Sequence, residues 1–219
     1  MYYVVKKQVG GRDFPSSDVG KNVEALVPGQ VVQADDCGVF ENTALGKTYL
    51  PCLIGGRRLW VHDAYLEAVR GRQAAALLHG ESWLGKKPNA KAIAWYNSTP
   101  SGKADPKPKG EAHCTVGALW AASMGTDLGS LIARTAAKCE KQVRKQGLWH
   151  AKDSGYTPKP GDLVLFRAGG KSSATHTELL CWKQGDKLYT INFNSGRICK
   201  RMERDVGDSY TYGYIEIKY

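Results

Sequence analysis

Residues 176–194, HTELLCWKQGDKLYTINFN, read as two β-strands joined by a turn. His176 to Trp182 and Leu188 to Phe193 alternate as strands, and Lys183-Gln184-Gly185-Asp186-Lys187 between them carries Gly-Asp turn chemistry. Register decides what this hairpin can do. With Gly185-Asp186 alone as the loop, His176 shares a face with residues 191 and 193, and Asn192 points away. A three-residue loop, or an equivalent bulge, instead puts His176, Asn192 and Asn194 on one face, and that odd arrangement is the expectation.

Upstream, Pro158-Lys159-Pro160-Gly161-Asp162 leads into the apolar strand Leu163-Val164-Leu165-Phe166, and a polar loop, Arg167 to Thr175, opens onto His176. Further back, Val116, Leu119, Trp120, Ser123 and Met124 fall on one face of a helix that begins at or just before Cys114 and stops at Gly125. A cysteine in the first helical turn meets the positive end of the dipole and unpaired backbone N–H groups, which favours its thiolate. A buried cysteine is otherwise more often an inert small hydrophobe. The next helix, Asp127 to Lys145, buries Leu128, Leu131, Ile132, Ala136 and Cys139. Residues 63 to 84 also have helical spacing, a short apolar run spans Ala92 to Tyr96, and Asn97 to Gly110, rich in Lys, Pro, Gly and Ser, reads as a loop.

A thiol at a helix start, an imidazole at a strand start and a carboxamide on the next strand share one chemistry. Cys114 attacks an acyl carbon as thiolate, and His176 holds the partner proton and returns it to the leaving amine. Asn192 bonds the far ring nitrogen and fixes the tautomer. The backbone N–H of Cys114 meets the oxyanion. Taken singly, His176 reads equally as a satisfied surface group and Asn192 as a turn or edge residue.

Residues 2 to 66 follow a different pattern. Short apolar runs at Tyr2 to Val5, Val23 to Val27, Val31-Val32, Tyr49 to Ile54 and Leu59 to Val61 are separated by Gly10-Gly11, Pro28-Gly29 and Gly55-Gly56. Many short strands with such punctuation read as a small all-β barrel or sandwich.

The chain has 219 residues, 31 Lys+Arg and 21 Asp+Glu, and 42% apolar residues, enough to bury a core. Residues 1–70 hold 8 basic and 8 acidic side chains and residues 71–219 hold 23 and 13, so the whole net charge of +10 belongs to the second part. Such a surface attracts a polyanion, whether nucleic acid, anionic membrane or anionic wall polymer. No zinc finger, stacking motif or recognition helix favours nucleic acid. The longest uncharged stretch, Ala112 to Thr126, is too short to span a bilayer. No C-x-x-C or H-E-x-x-H occurs and the five histidines are scattered, so neither a metal nor another cofactor is expected.

Several stretches resemble known families. Arg12 to Ser16, Pro28 to Val32 and the closing Trp60-Val61-His62-x-x-Tyr65-Leu66 look like bacterial Src-homology-three-type domains. Ser82 to Lys87, Tyr96-Asn97-Ser98, the helix from Cys114, Gly147-Leu148-Trp149, Pro158 to Leu163, His176-Thr177, Tyr189-Thr190-Ile191 and Tyr212-Gly213-Tyr214 resemble NlpC-type and CHAP-type cell-wall cysteine peptidases, particularly phage lytic enzymes.

The resemblance implies an α+β fold. Residues 1–69 would be a small β-barrel that binds wall or shapes the groove. Residues 70–219 would be a papain-like domain with the cysteine helix packed on an antiparallel sheet. It also implies cleavage of an amide bond in bacterial peptidoglycan by Cys114, His176 and Asn192, with Asn194 and Tyr96 as candidate substrate contacts, and peptidoglycan as the partner. A wall-binding module that has kept the fold without catalysis is the alternative. No signal peptide is visible, so synthesis in the cytoplasm and release by lysis, phage delivery or another export route is expected.

The chain departs from the family pattern at two places. Thr177-Glu178 stands where relatives have Val-Gly, and Asn192-Phe193-Asn194 stands where they have Glu-Gly-Asn, so Phe193 is expected to narrow the substrate space. With Cys114 free, the other five of the six cysteines cannot all pair. Cys181 with Cys199 and Cys37 with Cys52 are conceivable pairs, and reduced thiols throughout are equally compatible.

Overall fold

The computed structural model describes residues 1–17, 20–43 and 45–219. It holds two antiparallel sheets and five α-helices. The first sheet comprises β1 (Tyr2–Val5), β2 (Val9–Arg12), β3 (Asn22–Leu26), β4 (Val31–Ala34), β5 (Phe40–Asn42), β6 (Lys47–Ile54), β7 (Arg57–His62) and β8 (Leu66–Val69). Its order is β3-β2-β7-β6-β4-β1-β8, with β5 added to β6. Gly55 and Gly56 both take positive φ in the β6–β7 turn, a conformation that glycine adopts without a Cβ penalty. Val5, Leu26, Val32, Cys52, Ile54, Leu59, Val61 and Leu66 form a core between these strands. Val4, Val31 and Val69 face the other way, into the core of the second part.

The helical spacing over residues 63 to 84 is only half realised. A 3₁₀ turn occupies Asp63–Tyr65, β8 follows, and the helix α1 is Gly71–Ser82. The open edge of β1 takes Leu66–Val69 as a partner, so a tertiary hydrogen-bond ladder overrides the local pattern. Two further helices lie where less was expected. Asn89–Ser98 is α2, and α3 (Pro100–Ala104) occupies part of the stretch read as loop, started by Thr99, whose side chain accepts from Gly102 N.

The helix α4 is Cys114–Ser123. The helix expected over residues 127 to 145 begins late. Asp127 caps a short turn at Gly129–Leu131, and Thr135 then N-caps α5 (Ala136–Lys145).

The second sheet holds β9 (Trp149–Ala151), β10 (Leu163–Phe166), β11 (His176–Gln184), β12 (Lys187–Ser195), β13 (Ile198–Asp205) and β14 (Thr211–Ile215), in the order β13-β12-β11-β10-β14-β9. The β11–β12 turn has two residues, because Gln184 pairs with Lys187, and a bulge at Cys181 supplies the odd residue. Leu179 therefore pairs with Ile191, and continuing that register sets Glu178 opposite Asn192 and His176 opposite Asn194, all on one face.

The other face of this hairpin carries Leu179, Ile191 and Phe193, and α4 lies on it. A Cβ on Gly117 would stand 2.5 Å from the Phe193 Cβ, so the helix crosses directly over that ring. Phe193 is fully buried in this contact and does not narrow a substrate space as expected. Burying each such side chain contributes about 1.5–3 kcal/mol. All six cysteines are free, with β12 lying between the strands of Cys181 and Cys199.

Candidate active site

The sequence Cys114-Thr-Val-Gly-Ala-Leu-Trp-Ala-Ala-Ser is almost wholly buried, with Gly117, Ala118, Ala121 and Ala122 small enough for close approach to the sheet. This packing fixes Cys114 in the first helical turn above the start of β11. Thr115 Oγ1 and Thr177 Oγ1, 3.1 Å apart, tie the helix start to the strand start. Cys114 is 6% exposed, its Sγ lies 3.8 Å from Thr115 Oγ1, and His176 and the Thr177 backbone favour its ionised form.

The far side of the imidazole is held by a residue that the sequence reading did not single out. His176 Nε2 lies 3.1 Å from Glu178 Oε1. Glu178 is itself fully buried and receives Arg204, with Nη2 2.5 Å from Oε1 and Nε 3.3 Å from Oε2, and also the Thr190 hydroxyl. Asn192, expected on the far ring nitrogen, is buried on the same face, but its Oδ1 accepts from Asn194 N at 2.8 Å. The carboxylate wins by geometry: a strand repeats every two residues, so positions 176 and 178 project together, and Glu is long enough to reach the ring. The available signal was the departure at Thr177-Glu178, an acid two positions after the histidine.

These contacts set the charge state. Burial opposes ionisation of Cys114, but the hydrogen bond and charge of His176 outweigh it and hold the thiol below its usual range. Burial likewise opposes protonation of His176, and the bonds to Cys114 and Glu178 overcome it, raising the imidazolium pKa to about 9. Glu178 is pushed up by burial and pulled further down by His176, Arg204 and Thr190, so it stays ionised. These shifts favour a thiolate–imidazolium pair backed by a carboxylate. Cys52, Cys139, Cys181 and Cys199, by contrast, are pushed up to about 12 by burial.

Two supports position the pair. Tyr96, expected at the substrate, is a core residue, 1% exposed, and its hydroxyl donates to the Asp105 carbonyl at 3.1 Å. Beside it, Asn97 exchanges two hydrogen bonds with the Lys107 backbone, so both side chains clamp the segment that leads to Cys114. On the histidine side, Glu140 Oε2 accepts from Ala174 N at 2.8 Å and fixes the entry to β11. Asn194 is half-buried on the histidine face. Among the described residues, no group of three or more His, Cys, Asp or Glu is placed to hold a metal ion.

No family model and no curated protein matches the chain. Among solved structures, NlpC2 from Trichomonas vaginalis is similar at 15% identity and a TM-score of 0.39, over 99% of this chain and 72% of that one. NlpC1 from the same organism is similar at 15% identity and a TM-score of 0.39, over 99% of this chain and 68% of that one. At that level of likeness the functional reading rests on the site's own geometry.

Proposed function

We propose that the chain is a thiol hydrolase that cleaves an amide bond of bacterial peptidoglycan through an acyl-enzyme intermediate. The observation that supports this reading is the line Cys114–His176–Glu178, in which the nucleophile and its base stabilise each other's charged forms and the base is hydrogen-bonded to the carboxylate that orients it. Cys114 Sγ, as thiolate, attacks the scissile carbonyl carbon and forms a thioester. The imidazolium of His176 protonates the departing amine, and the neutral ring then draws a proton from water as the water opens the thioester. Glu178 orients the ring and stabilises its positive form. The oxyanion faces the free N–H groups of the first turn of α4. Peptidoglycan as substrate follows from the sequence resemblance and from the basic charge of residues 71–219, which draws an anionic polymer.

The test uses purified bacterial walls. The wild-type chain releases new amino groups, identified by mass spectrometry of the freed muropeptides, and Cys114→Ala releases none. A Cys114→Ala protein that still cuts the wall overturns the reading. Iodoacetamide should also alkylate Cys114 well ahead of the four buried thiols. That comparison is made in a Cys37→Ser background, because Cys37 is exposed.

A further inference from the structure

Glu178 lies on β11, and the cation that meets it comes from β13, the end strand of the second sheet. β12 runs between them, so Arg204 reaches over two strand spacings of about 4.8 Å each, a gap that only a side chain as long as arginine or lysine spans. Having crossed it, the guanidinium forks over the carboxylate, with Nη2 2.5 Å from Oε1 and Nε 3.3 Å from Oε2. Oε1 is also the oxygen that lies 3.1 Å from His176 Nε2, and Oε2 takes the Thr190 hydroxyl. The guanidinium carbon stands 5.3 Å from the centroid of the Phe166 ring, and the His176 ring stands 5.9 Å from the same ring. Phe166, which pairs with His176 in register, is therefore a common backing for the cation and the imidazole. Glu178 is fully buried, whereas the Arg204 side chain keeps 31% of its surface. A charge that is costly to bury alone is thus met by a partly hydrated partner.

We propose that Arg204 is a positioning residue of this site, which pins Glu178 as a carboxylate on the His176 ring and acts on catalysis through Glu178. The proposal rests on the hydrolase reading above. Without the guanidinium, Oε1 keeps only His176 and Oε2 only Thr190, and a buried carboxyl so depleted turns away or takes a proton. The charged and titratable groups around the pair are Cys114 from α4, Glu178 from β11 and Arg204 from β13, with Asp208 beyond β13 acting on Arg204. Burial pushes the Glu178 carboxyl up, and its bonds to His176 and Arg204 pull it down. Loss of Arg204 therefore raises it. Glu178 is then neutralised at a higher pH than in the parent chain, and once neutral it no longer supports the imidazolium.

The experiment measures the pH–rate profile of wall cleavage for Arg204→Met, Arg204→Lys, Glu178→Gln and the double variant Glu178→Gln/Arg204→Met. Arg204→Met loses about 10²-fold in rate at neutral pH and its acidic edge moves up, because Glu178 takes a proton before Cys114 does. Arg204→Lys keeps the charge and the reach and holds that edge. The double variant stays within about threefold of Glu178→Gln alone, because the residue through which Arg204 acts is gone. It also strands no buried charge, so it decides the matter even where Arg204→Met fails to fold. An unmoved acidic edge in folded Arg204→Met, an edge in Arg204→Lys displaced as far as in Arg204→Met, or a double variant slower than that bound overturns the proposal. Alkylation of Cys114 against pH, in the Cys37→Ser background, is read in parallel and needs no substrate. A wild-type chain that cuts no wall removes the hydrolase reading, and the alkylation profile then decides the role of Arg204 by itself. An upward shift in Arg204→Met that Arg204→Lys reverses supports it, and an unshifted profile overturns it.

Discussion

Glu178 holds a full charge in a fully buried position because Arg204, Thr190 and His176 together supply its hydrogen bonds. Its influence on the reaction has a definite sign. The productive pair needs Cys114 ionised, which sets the acidic edge of activity, and His176 protonated, which sets the alkaline edge at about 9. Replacing Glu178 with Gln removes the negative charge that helps to raise the His176 pKa, so that pKa falls and the alkaline edge of the pH–rate profile moves down. A rate loss of about 10²-fold accompanies it, the lower end of what acid–base catalysis contributes. Asn192→Ala should leave the alkaline edge in place. Narrowing in Asn192→Ala with none in Glu178→Gln would return the orienting role to the carboxamide. At this scale Cys114 and His176 were legible from type, order and position. Glu178 was not, because a residue's partner depends on where its neighbours leave a gap, and the gap was made by Arg204 from β13.

The packing of α4 on the hairpin explains why its middle is glycine. Gly117→Ala places a Cβ 2.5 Å from the Phe193 Cβ and 2.7 Å from Cγ, on a ring that is itself held in the core. Overpacking of this kind costs about 1–3 kcal/mol and exceeds the gain of about 1 kcal/mol from better helix propensity. Gly80→Ala in α1 meets only the ends of Ile191 and Leu179, at 3.0 and 3.1 Å, which can turn aside. It should fall within about 1 kcal/mol of the parent. Urea midpoints of the two variants check the contrast, and equal midpoints would show that α4 can slide off Phe193. The long periodic segments, α4 and the β11–β12 hairpin, could be read from sequence because one face of each is uniformly apolar. The strand β13 could not, since its sequence Ile198-Cys-Lys-Arg-Met-Glu-Arg-Asp buries only Cys199. A charged edge strand forms because β12 offers it a ladder. The bulge at Cys181 escaped for a related reason: an odd residue was expected, but whether turn or strand absorbs it is a matter of pairing.

Between the two sheets a polar contact is made by Glu81, on α1. One oxygen, Oε1, accepts from Val31 N at 2.8 Å and from Arg201 Nη2 at 2.7 Å, so a strand of the first sheet and an edge strand of the second meet on one carboxylate. Glu81→Ala leaves a guanidinium that is 19% exposed without its counter-ion and strands a backbone N–H. The expected loss is about 2–3 kcal/mol in denaturant unfolding, with Glu81→Gln losing less because it keeps an acceptor for Val31. A loss below about 0.5 kcal/mol for Glu81→Ala would mean that apolar contact through Val4, Val31 and Val69 suffices. By itself the sequence determined the change of periodicity near residue 70, the charge held by residues 71–219, the helix at Cys114 and the strand at His176. Each of these is carried by residues close together in the chain. The tertiary structure decided the partner of His176, the second role of residues 63–84 and the reach of Arg204 across β12. Each of those joins segments far apart in sequence, where burial and the satisfaction of polar groups override local preference.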